Sequence, residues 1–326
     1  MNSSELLAAL KQQAEMINAT MREDLTTIES PLLADIINHA IFQGGKRVRP
    51  LLTMMAATLI GPPPADTPRL AISFEYLHAA SLLHDDVIDH ADLRRGKETA
   101  NKIWGISPVI LAGDFLHARA MSLAGAVGGR AGMEIIGQAT AAMVEAEFLQ
   151  MQIAEEIIPD DANYFRVLMG KTAALISAAC EAGVVHAGGN AEQRRALRVY
   201  GTNLGLAFQI VDDLLDYLGD PARTGKAVGN DFQEGKMTLP LINTLARADE
   251  KDRDLLLALL KGSAAERQKQ VASAHGLINK YQGFAVARQK AQDLMDEALS
   301  GLKIFSDGPA KDTLIGLAHY VLNRDK

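Results

Sequence analysis

The sequence predicts an all-α fold. Ala, Leu, Met, Glu, Gln and Lys dominate the chain, whereas β-branched or aromatic alternation over the length of a strand is hard to find. Glycine and proline clusters recur between segments of helical length. The 326 residues, 48% of them hydrophobic, can bury a large core, and no linker rich in serine, proline or charge divides them. We therefore expect a single domain covering residues 1–326.

The turn signals predict where successive helices end. They fall at Gly44-Gly45, 61–64, 105–108, 128–129, 188–190, 219–229 and Gly308-Pro309. Between them we expect about a dozen helices. The central ones are strongly apolar and cover roughly 68–92, 108–127, 131–156, 162–187 and 192–218. Segments after residue 245 are dense in charge, which predicts a buried central bundle with a more solvated outer layer.

Composition disfavours several classes of protein. A net charge of -7 gives no electrostatic reason to expect nucleic acid as a partner. The lone Cys180 excludes intrachain disulfides and lies in the apolar run AALISAACEAG, as a core residue would. The amino-terminal residues lack the basic-then-apolar order of a signal peptide and the Arg-rich, acid-poor composition of a transit peptide. Asp114 and Arg119 interrupt the apolar stretch that most resembles a membrane span. We expect a cytoplasmic protein that does not cross a membrane.

Six aspartates form two matched DDxxD clusters, each behind an apolar helical segment. In LLHDDVID the outer aspartates are four residues apart, so they share a helix face roughly 5–6 Å apart, and FQIVDDLLD repeats the pattern. Carboxylates at this spacing suit Mg²⁺, which takes one or two carboxylates and completes its shell with phosphate and water. The members are Asp85, Asp86 and Asp89 in the first cluster and Asp212, Asp213 and Asp216 in the second.

Basic residues beside glycines or predicted helix ends indicate what the metal ions would hold. Arginine grips phosphate with two parallel hydrogen bonds, lysine acts as a point charge, and glycine lets the backbone approach. Together with two magnesium clusters, these residues predict a diphosphate site. They are Lys46, Arg47 and Arg49 in GGKRVRP, Arg94 and Arg95, Lys171 in GKTAAL, and Lys226 and Lys236. The GKT sequence is not a nucleotide P-loop, because the first glycine of that motif would fall at Phe165.

Five motifs carry a family resemblance over nearly the whole chain. They are GGKRVRPLL, HDDVIDHADLRRG, GKTAAL, FQIVDDLLD and GNDFQEGKMTLP, in that order. The chain resembles the trans-isoprenyl diphosphate synthase family, in particular the long-chain, octaprenyl-like polyprenyl diphosphate synthases. The resemblance implies an isoprenoid-synthase-type helical bundle whose central active-site cavity carries the two clusters on facing walls. It also implies a homodimer.

The resemblance further implies roles for individual residues. Asp85, Asp89 and Asp212 would bind magnesium, with Asp86, Asp213 and Asp216 supporting them. Arg94, Lys171, Lys226 and Lys236 would hold an allylic diphosphate, whereas Lys46, Arg49, His78 and Arg95 would grip isopentenyl diphosphate. Gln209 would lie beside the second cluster and Thr172 would face the reacting carbons. One departure from the family is Ala146, where many members have glycine; the neighbouring Glu147 and Gln150 remain.

The implied reaction is magnesium-dependent ionisation of the allylic diphosphate, attack by the double bond of isopentenyl diphosphate, and loss of a proton. Ala80 and Ser81 lie one to one and a half turns before Asp85, on the side where a growing chain must descend. Because both are small, we expect an open pocket and a long all-trans product of about C30 to C50, of the type used for quinone side chains. The alternative is that these small residues are only close helix contacts.

Other interpretations of the motifs stay open. A farnesyl or geranylgeranyl diphosphate synthase would share the chemistry and stop earlier. A class I terpene synthase usually carries a mixed Asn, Ser/Thr and Glu motif in place of the second cluster, and a non-catalytic subunit of a heteromeric synthase would lose ligands. A purely structural bundle has no use for six clustered aspartates. An apolar product makes weak peripheral membrane contact conceivable, although no anchor is encoded.

Overall fold

The computed structural model describes residues 3–94, 96–154, 159–219 and 228–324. Helices dominate these ranges, and the strands within them are two residues long, so the all-α prediction is confirmed. The first part of the chain forms α1 (Ser3–Leu25), α2 (Pro31–Phe42), α3 (Val48–Thr58), α4 (Thr67–Ile88), the hairpin of β1 (Leu93–Arg94) and β2 (Lys97–Glu98), α5 (Ala100–Trp104) and α6 (Ile106–Ala154).

The remainder of the described chain is helical apart from short connections. It forms α7 (Asp161–Leu168), a π-helical turn (Met169–Ala173), α8 (Ala174–His186), α9 (Ala191–Leu218), α10 (Asn230–Glu234), α11 (Leu239–Arg247), α12 (Glu250–Leu260), α13 (Ala264–Lys280), α14 (Gly283–Gly301), a 3-10 turn (Leu302–Ile304) and α15 (Pro309–Leu322).

Local sequence signals explain several helix ends. Ser30 caps α2 by accepting a hydrogen bond from the backbone of Leu33, with Pro31 at the first helical position. Ser263 and Glu266 form a reciprocal capping box at the start of α13. The break expected at 128–129 is a kink: α6 continues through it, but Gly129 has φ 60° and ψ -153°, which a residue with a Cβ rarely adopts.

Distances between Cα atoms divide the chain into two compact units, each built from three separate segments. Unit 1 consists of Met1–Thr140, Ala178–Arg198 and Ile304–Gly316. Unit 2 consists of Ala141–Ser177, Val199–Lys303 and Leu317–Lys326. The single domain expected from the sequence stays a prediction.

Unit 1 is organised around α4, against which α1, α2 and α3 pack. Its core includes Phe74 and Tyr76 of α4, both fully buried. A buried polar group is satisfied inside this core, because the carboxylate of Asp24 accepts two hydrogen bonds from Arg119, at 2.6 and 2.9 Å, and one from the hydroxyl of Tyr76 at 3.1 Å. This network ties α1 to α4 and α6.

Unit 2 contains α10 to α14, in which α11 packs on α14 and α10 on α13. The helices after residue 245, α12 to α14, bury narrower faces than α4 does; α13, for example, buries only Ala274 and Ile278 among its described residues. The charged segments after residue 245 therefore form a solvated layer, as their composition predicts.

One continuous helical stretch, Asp161–His186, is long and apolar enough to span a membrane by length and composition. The sequence analysis predicts no membrane-spanning segment and does not single out this stretch. Its apolar window is 78% buried inside the protein, which is typical of a core helix. Cys180 lies in this stretch, fully buried as predicted, and burial raises the pKa of its thiol.

Candidate active site

The first aspartate cluster lies at the carboxyl end of α4 in unit 1, as predicted. Its three members differ in exposure: Asp85 is half-buried, Asp86 is 4% exposed, and Asp89, which caps the helix, is exposed. The helix ends here because the chain turns into the β1–β2 hairpin, through His90 at φ 50°. The outer members therefore present carboxylates to solvent, while the middle one points into the protein.

Asp86 is held by an arginine of the hairpin. The Nε and Nη2 atoms of Arg94 lie 2.8 and 2.7 Å from Oδ1 of Asp86, and the side chain of Asn101 donates to the backbone oxygen of Asp86. Both charged residues line a cavity of about 60 Å³ bounded by α2, α4 and the hairpin. Arg94, predicted as a diphosphate ligand, is therefore positioned beside the cluster by a charge-assisted hydrogen bond.

The glycine-rich loop before α3 contains the predicted basic residues of the isopentenyl site. Lys46 is exposed and Arg49 lies in the first turn of α3, where burial lowers the pKa of its guanidinium and the charge of Glu75 opposes that shift. Arg47, grouped with the phosphate-binding candidates from the sequence, is buried and occupied by three protein acceptors, so that part of the prediction is wrong. His78 is half-buried on α4.

The second cluster lies at the carboxyl end of α9 in unit 2 and also has a buried middle member, but here the first aspartate is the exposed one and the last is half-buried. The middle member, Asp213, is 6% exposed and accepts hydrogen bonds from the hydroxyl of Tyr164 at 2.7 Å and the amide of Gln209 at 3.1 Å. Burial, reinforced by the negative charge of Asp231, raises the pKa of Asp213 to about 7, and the two hydrogen bonds work against that shift. Asp213 is thus a fixed acceptor rather than a solvated carboxylate.

Asp216 interacts with the start of α10. It accepts the backbone N–H groups of Asn230 and Asp231 at 3.2 and 2.9 Å, and burial raises its pKa even so. Lys236, a predicted diphosphate ligand, lies 2.7 Å from Glu234 and 3.3 Å from Asp231. This segment therefore holds both a cluster member and a predicted cation in place.

Asp212 is the exposed member of the second cluster, with 48% of its side chain accessible. An arginine near the carboxyl terminus approaches it: Nη1 of Arg324 lies 3.4 Å from Oδ1 of Asp212, and the guanidinium packs over the ring of Phe208. The guanidinium of Arg324 therefore lies beside the carboxylate of Asp212, which the sequence predicts as a metal ligand.

Lys171 and Thr172 lie in the π-helical turn between α7 and α8. The Nζ of Lys171 is 2.8 Å from Glu147 and 2.9 Å from Gln150, both on α6, and the hydroxyl of Thr172 donates to Gln209 at 3.3 Å. The turn packs tightly on α6, because a Cβ at Gly170 would lie 2.5 Å from the carbonyl oxygen of Ala142. Such insertions are frequent at functional sites, where they re-aim side chains.

Of the remaining predicted residues, two lie within the described chain and two lie outside it. Ala80 is buried and Ser81 half-buried on α4, with the hydroxyl of Ser81 donating to the backbone oxygen of His78 at 2.9 Å. Arg95 and Lys226 lie outside the described residues. Within the described ranges, no group of three or more His, Cys, Asp or Glu side chains is arranged to hold a metal ion by itself.

Sequence reasoning missed three residues of this arrangement. Tyr164 and Arg324 gave no signal, since a tyrosine in an apolar helix and an arginine near a chain end are ordinary. Asp231 could have been found, because it follows Gly229 within the motif GNDFQEGK.

Comparison with known proteins supplies the family. Residues 30–278 match the family model described as Polyprenyl synthetase. Octaprenyl diphosphate synthase of Escherichia coli (strain K12) is 34% identical over 327 residues, covering 100% of both chains. Short chain isoprenyl diphosphate synthase of Methanothermobacter thermautotrophicus is 36% identical, covering 98% of this chain and 99% of the relative.

Solved structures show the same likeness in three dimensions. A decaprenyl diphosphate synthase from Rhodobacter capsulatus is 38% identical with a TM-score of 0.90, covering 99% of each chain. A geranylgeranyl pyrophosphate synthetase from Pyrococcus horikoshii is 31% identical with a TM-score of 0.92, covering 98% of this chain and 99% of the other. The predicted isoprenoid-synthase type of fold is confirmed, and the chain belongs to the polyprenyl synthetase family of prenyltransferases.

Proposed function

We propose that this chain condenses isopentenyl diphosphate with an allylic diphosphate in a magnesium-dependent reaction, extending an all-trans polyprenyl chain by one C5 unit per cycle. One observation carries the proposal: each DDxxD cluster has a buried middle aspartate fixed by hydrogen bonds and one exposed outer aspartate, Asp89 in the first cluster and Asp212 in the second. A fixed acceptor next to an exposed carboxylate suits a metal ligand that must keep its orientation when ions arrive.

The donor chemistry of the clusters fits Mg²⁺. Carboxylate oxygens are hard ligands, and Mg²⁺ commonly takes only one or two of them while substrate phosphate and water complete its octahedron. The lack of a three-carboxylate cage among the described residues therefore does not count against it. Asp85, Asp89 and Asp212 would bind the ions, and Asp86, Asp213 and Asp216 would hold the clusters in shape. Bound magnesium supplies positive charge that stabilises the departing diphosphate.

The basic residues would bind and orient the two substrates. We assign Arg94, Lys171, Lys226 and Lys236 to the allylic diphosphate and Lys46, Arg49, His78 and Arg95 to isopentenyl diphosphate. Carboxylates or amides hold Arg94, Lys171 and Lys236 without substrate, so that each cation is in position before a diphosphate binds. Thr172, whose hydroxyl hydrogen is directed to Gln209, would present its oxygen lone pairs to the cationic carbon.

We propose a long product, about C30 to C50, as used for quinone side chains. Ala80 and Ser81 support it, since neither side chain is large enough to close a pocket below the first cluster. Relatives named octaprenyl and decaprenyl diphosphate synthase support it too. A shorter, geranylgeranyl-type product is the second candidate, because relatives with such names match equally well.

The proposed assembly is a cytoplasmic homodimer with at most peripheral membrane contact. Exposed apolar side chains on the first half of α6, namely Ile106, Ile110 and Leu111, support self-association, because a second copy of the same face would cover them. Sedimentation of the purified protein tests this part.

Product analysis tests the function. Purified protein is incubated with Mg²⁺, farnesyl diphosphate and labelled isopentenyl diphosphate, and the products are dephosphorylated and sized by chromatography. A ladder ending above C25 is expected, whereas a stop at C15 or C20 contradicts the long-chain assignment and absence of magnesium-dependent product contradicts the activity. Ala80→Phe should shorten the product. Ala265→Phe, an exposed position on α13, is the matched control and should leave the product unchanged.

A further inference from the structure

Arg47, in the loop before α3, lies in sequence between the predicted isopentenyl ligands Lys46 and Arg49, but its own side chain is not available to a ligand. Arg47 is 5% exposed, and its backbone adopts a left-handed conformation with φ 52°. For a residue with a Cβ, that conformation is energetically unfavourable. Something in the surrounding structure must therefore hold Arg47 in place.

Three hydrogen-bond acceptors, one each on α1, α2 and α4, fix the side chain of Arg47. Nε donates to the side chain of Asn18 on α1 at 2.8 Å, Nη2 to the backbone oxygen of Ile41 on α2 at 2.6 Å, and Nη1 to Glu75 on α4 at 2.7 Å. Only the last acceptor is charged, and Glu75 is 6% exposed. Arg47 and Glu75 thus form a buried, hydrogen-bonded ion pair.

Arg49, two residues further on, differs from Arg47 in its hydrogen bonding. Its Nε atom is buried and has no hydrogen-bond partner among the described residues. Burial lowers the pKa of the Arg49 guanidinium, and the negative charge of Glu75 opposes that shift. Arg47 therefore holds the carboxylate of Glu75 by a direct hydrogen bond, whereas the buried Nε atom of the half-buried Arg49 has no such partner among the described residues. One unit of positive charge is left over at Arg49, which an anion from outside would balance.

We propose that Arg47 is a positioning residue for isopentenyl diphosphate: by binding Glu75, it prevents Glu75 from pairing with Arg49 and leaves the Arg49 guanidinium available to the diphosphate. The inference rests on the assignment of Arg49 and His78 to that substrate in the proposed function. Glu75 lies three residues before His78 on α4, so the same ion pair also borders the next turn of the proposed site.

A double-variant experiment separates this role from a structural one. In Arg47→Met, Glu75 is released to Arg49, and the Kd for isopentenyl diphosphate, measured by calorimetry on the full chain, should rise about tenfold or more, the factor expected for a lost hydrogen bond to a charged group. In Glu75→Gln no carboxylate competes for Arg49, so the Kd should stay unchanged or fall. The combined Arg47→Met and Glu75→Gln variant should recover affinity to within about threefold of wild type.

Steady-state kinetics give a second readout. The KM for isopentenyl diphosphate should follow the Kd through this series, while the KM for farnesyl diphosphate stays within about twofold of wild type in every variant. Arg119→Met, which breaks the partly buried ion pair between Arg119 and Asp24 in unit 1, is the matched control. It should lower the melting temperature and leave both KM values unchanged.

Several results would overturn the inference: an unchanged Kd in Arg47→Met, a combined variant that binds as weakly as Arg47→Met, or a wild-type protein that does not bind isopentenyl diphosphate. If Arg47→Met does not fold, Glu75→Gln alone decides, because a tenfold weaker Kd there contradicts the charge argument. A wild-type protein that binds the ligand but forms no product refutes the proposed function while the binding series still tests Arg47.

Discussion

One added methyl group at Gly170 should destabilise the protein more than the same change at any exposed glycine. Gly170 lies in the π-helical turn that carries Lys171 and Thr172. A Cβ there would lie 2.5 Å from the carbonyl oxygen of Ala142 and would overlap the Cβ of Ala146. The carbonyl belongs to the backbone of α6 and cannot rotate away, so the turn itself would have to move.

The magnitude follows from two opposing effects. Overpacking a close contact costs about 1–3 kcal/mol, and two simultaneous overlaps put Gly170→Ala at the upper end of that range. Replacing glycine by alanine in a helix returns at most about 1 kcal/mol. The net loss is about 2 kcal/mol, which corresponds to a fall of roughly 3 °C in Tm for a chain of 326 residues.

Calorimetric melting of Gly170→Ala tests this estimate, with Gly276→Ala as the control. Gly276 lies on α13, and a Cβ there would meet nothing within 4 Å, so alanine should stabilise by about 0.4–1 kcal/mol. Adding Ala146→Gly to Gly170→Ala should restore part of the loss, because the carbonyl overlap remains. If Gly170→Ala melts at or above the wild-type temperature, the close approach of the turn to α6 is refuted.

Three further predictions concern hydrogen bonds and charges. Tyr164→Phe removes the hydroxyl that donates to the buried middle aspartate of the second cluster and should cost about 1–3 kcal/mol of unfolding free energy; a loss below 0.5 kcal/mol on the same scale contradicts that role. Arg324→Gln removes a cation 3.4 Å from Asp212 and should lower the half-saturating Mg²⁺ concentration by up to about fivefold, whereas a higher magnesium requirement would show that the arginine assists the site. The hydrogen bond from Lys280 holds the pKa of Asp252 below its ordinary value, so its stabilisation is present at neutral pH and lost as the pH falls through that lowered pKa. Asp252→Asn should therefore melt below wild type at pH 7, with a difference that shrinks as the pH falls through the lowered pKa of Asp252, and a difference that does not shrink in acid excludes this explanation.

Helix content and the two aspartate clusters could be predicted because both are encoded locally. A spacing of four residues places Asp85 and Asp89 on one face whatever the tertiary fold, and glycine-proline pairs interrupt helices wherever they occur. Contacts between distant segments could not be predicted. Tyr164 and Asp213 are 49 residues apart, and nothing in either local sequence indicates that they meet.

The π-helical turn and the hairpin also escaped prediction, for different reasons. The turn at 169–173 depends on how closely Gly170 approaches α6, which a single-sequence pattern does not contain. Each strand of the hairpin is two residues long, too short for an alternating pattern to register. The engagement of Arg47 was hidden by its neighbours, since Lys46 and Arg49 made the whole motif look like a phosphate-binding loop.

The interleaved segments of the two units bear on how the chain is made. During synthesis the amino-terminal part of unit 1 is complete once Thr140 has left the ribosome, yet its last segment begins only at Ile304. At about 5–20 residues per second the nascent helices wait roughly ten to thirty seconds for that segment. Neither unit can finish folding before its last segment emerges, so the nascent protein carries incompletely covered apolar surface during that interval.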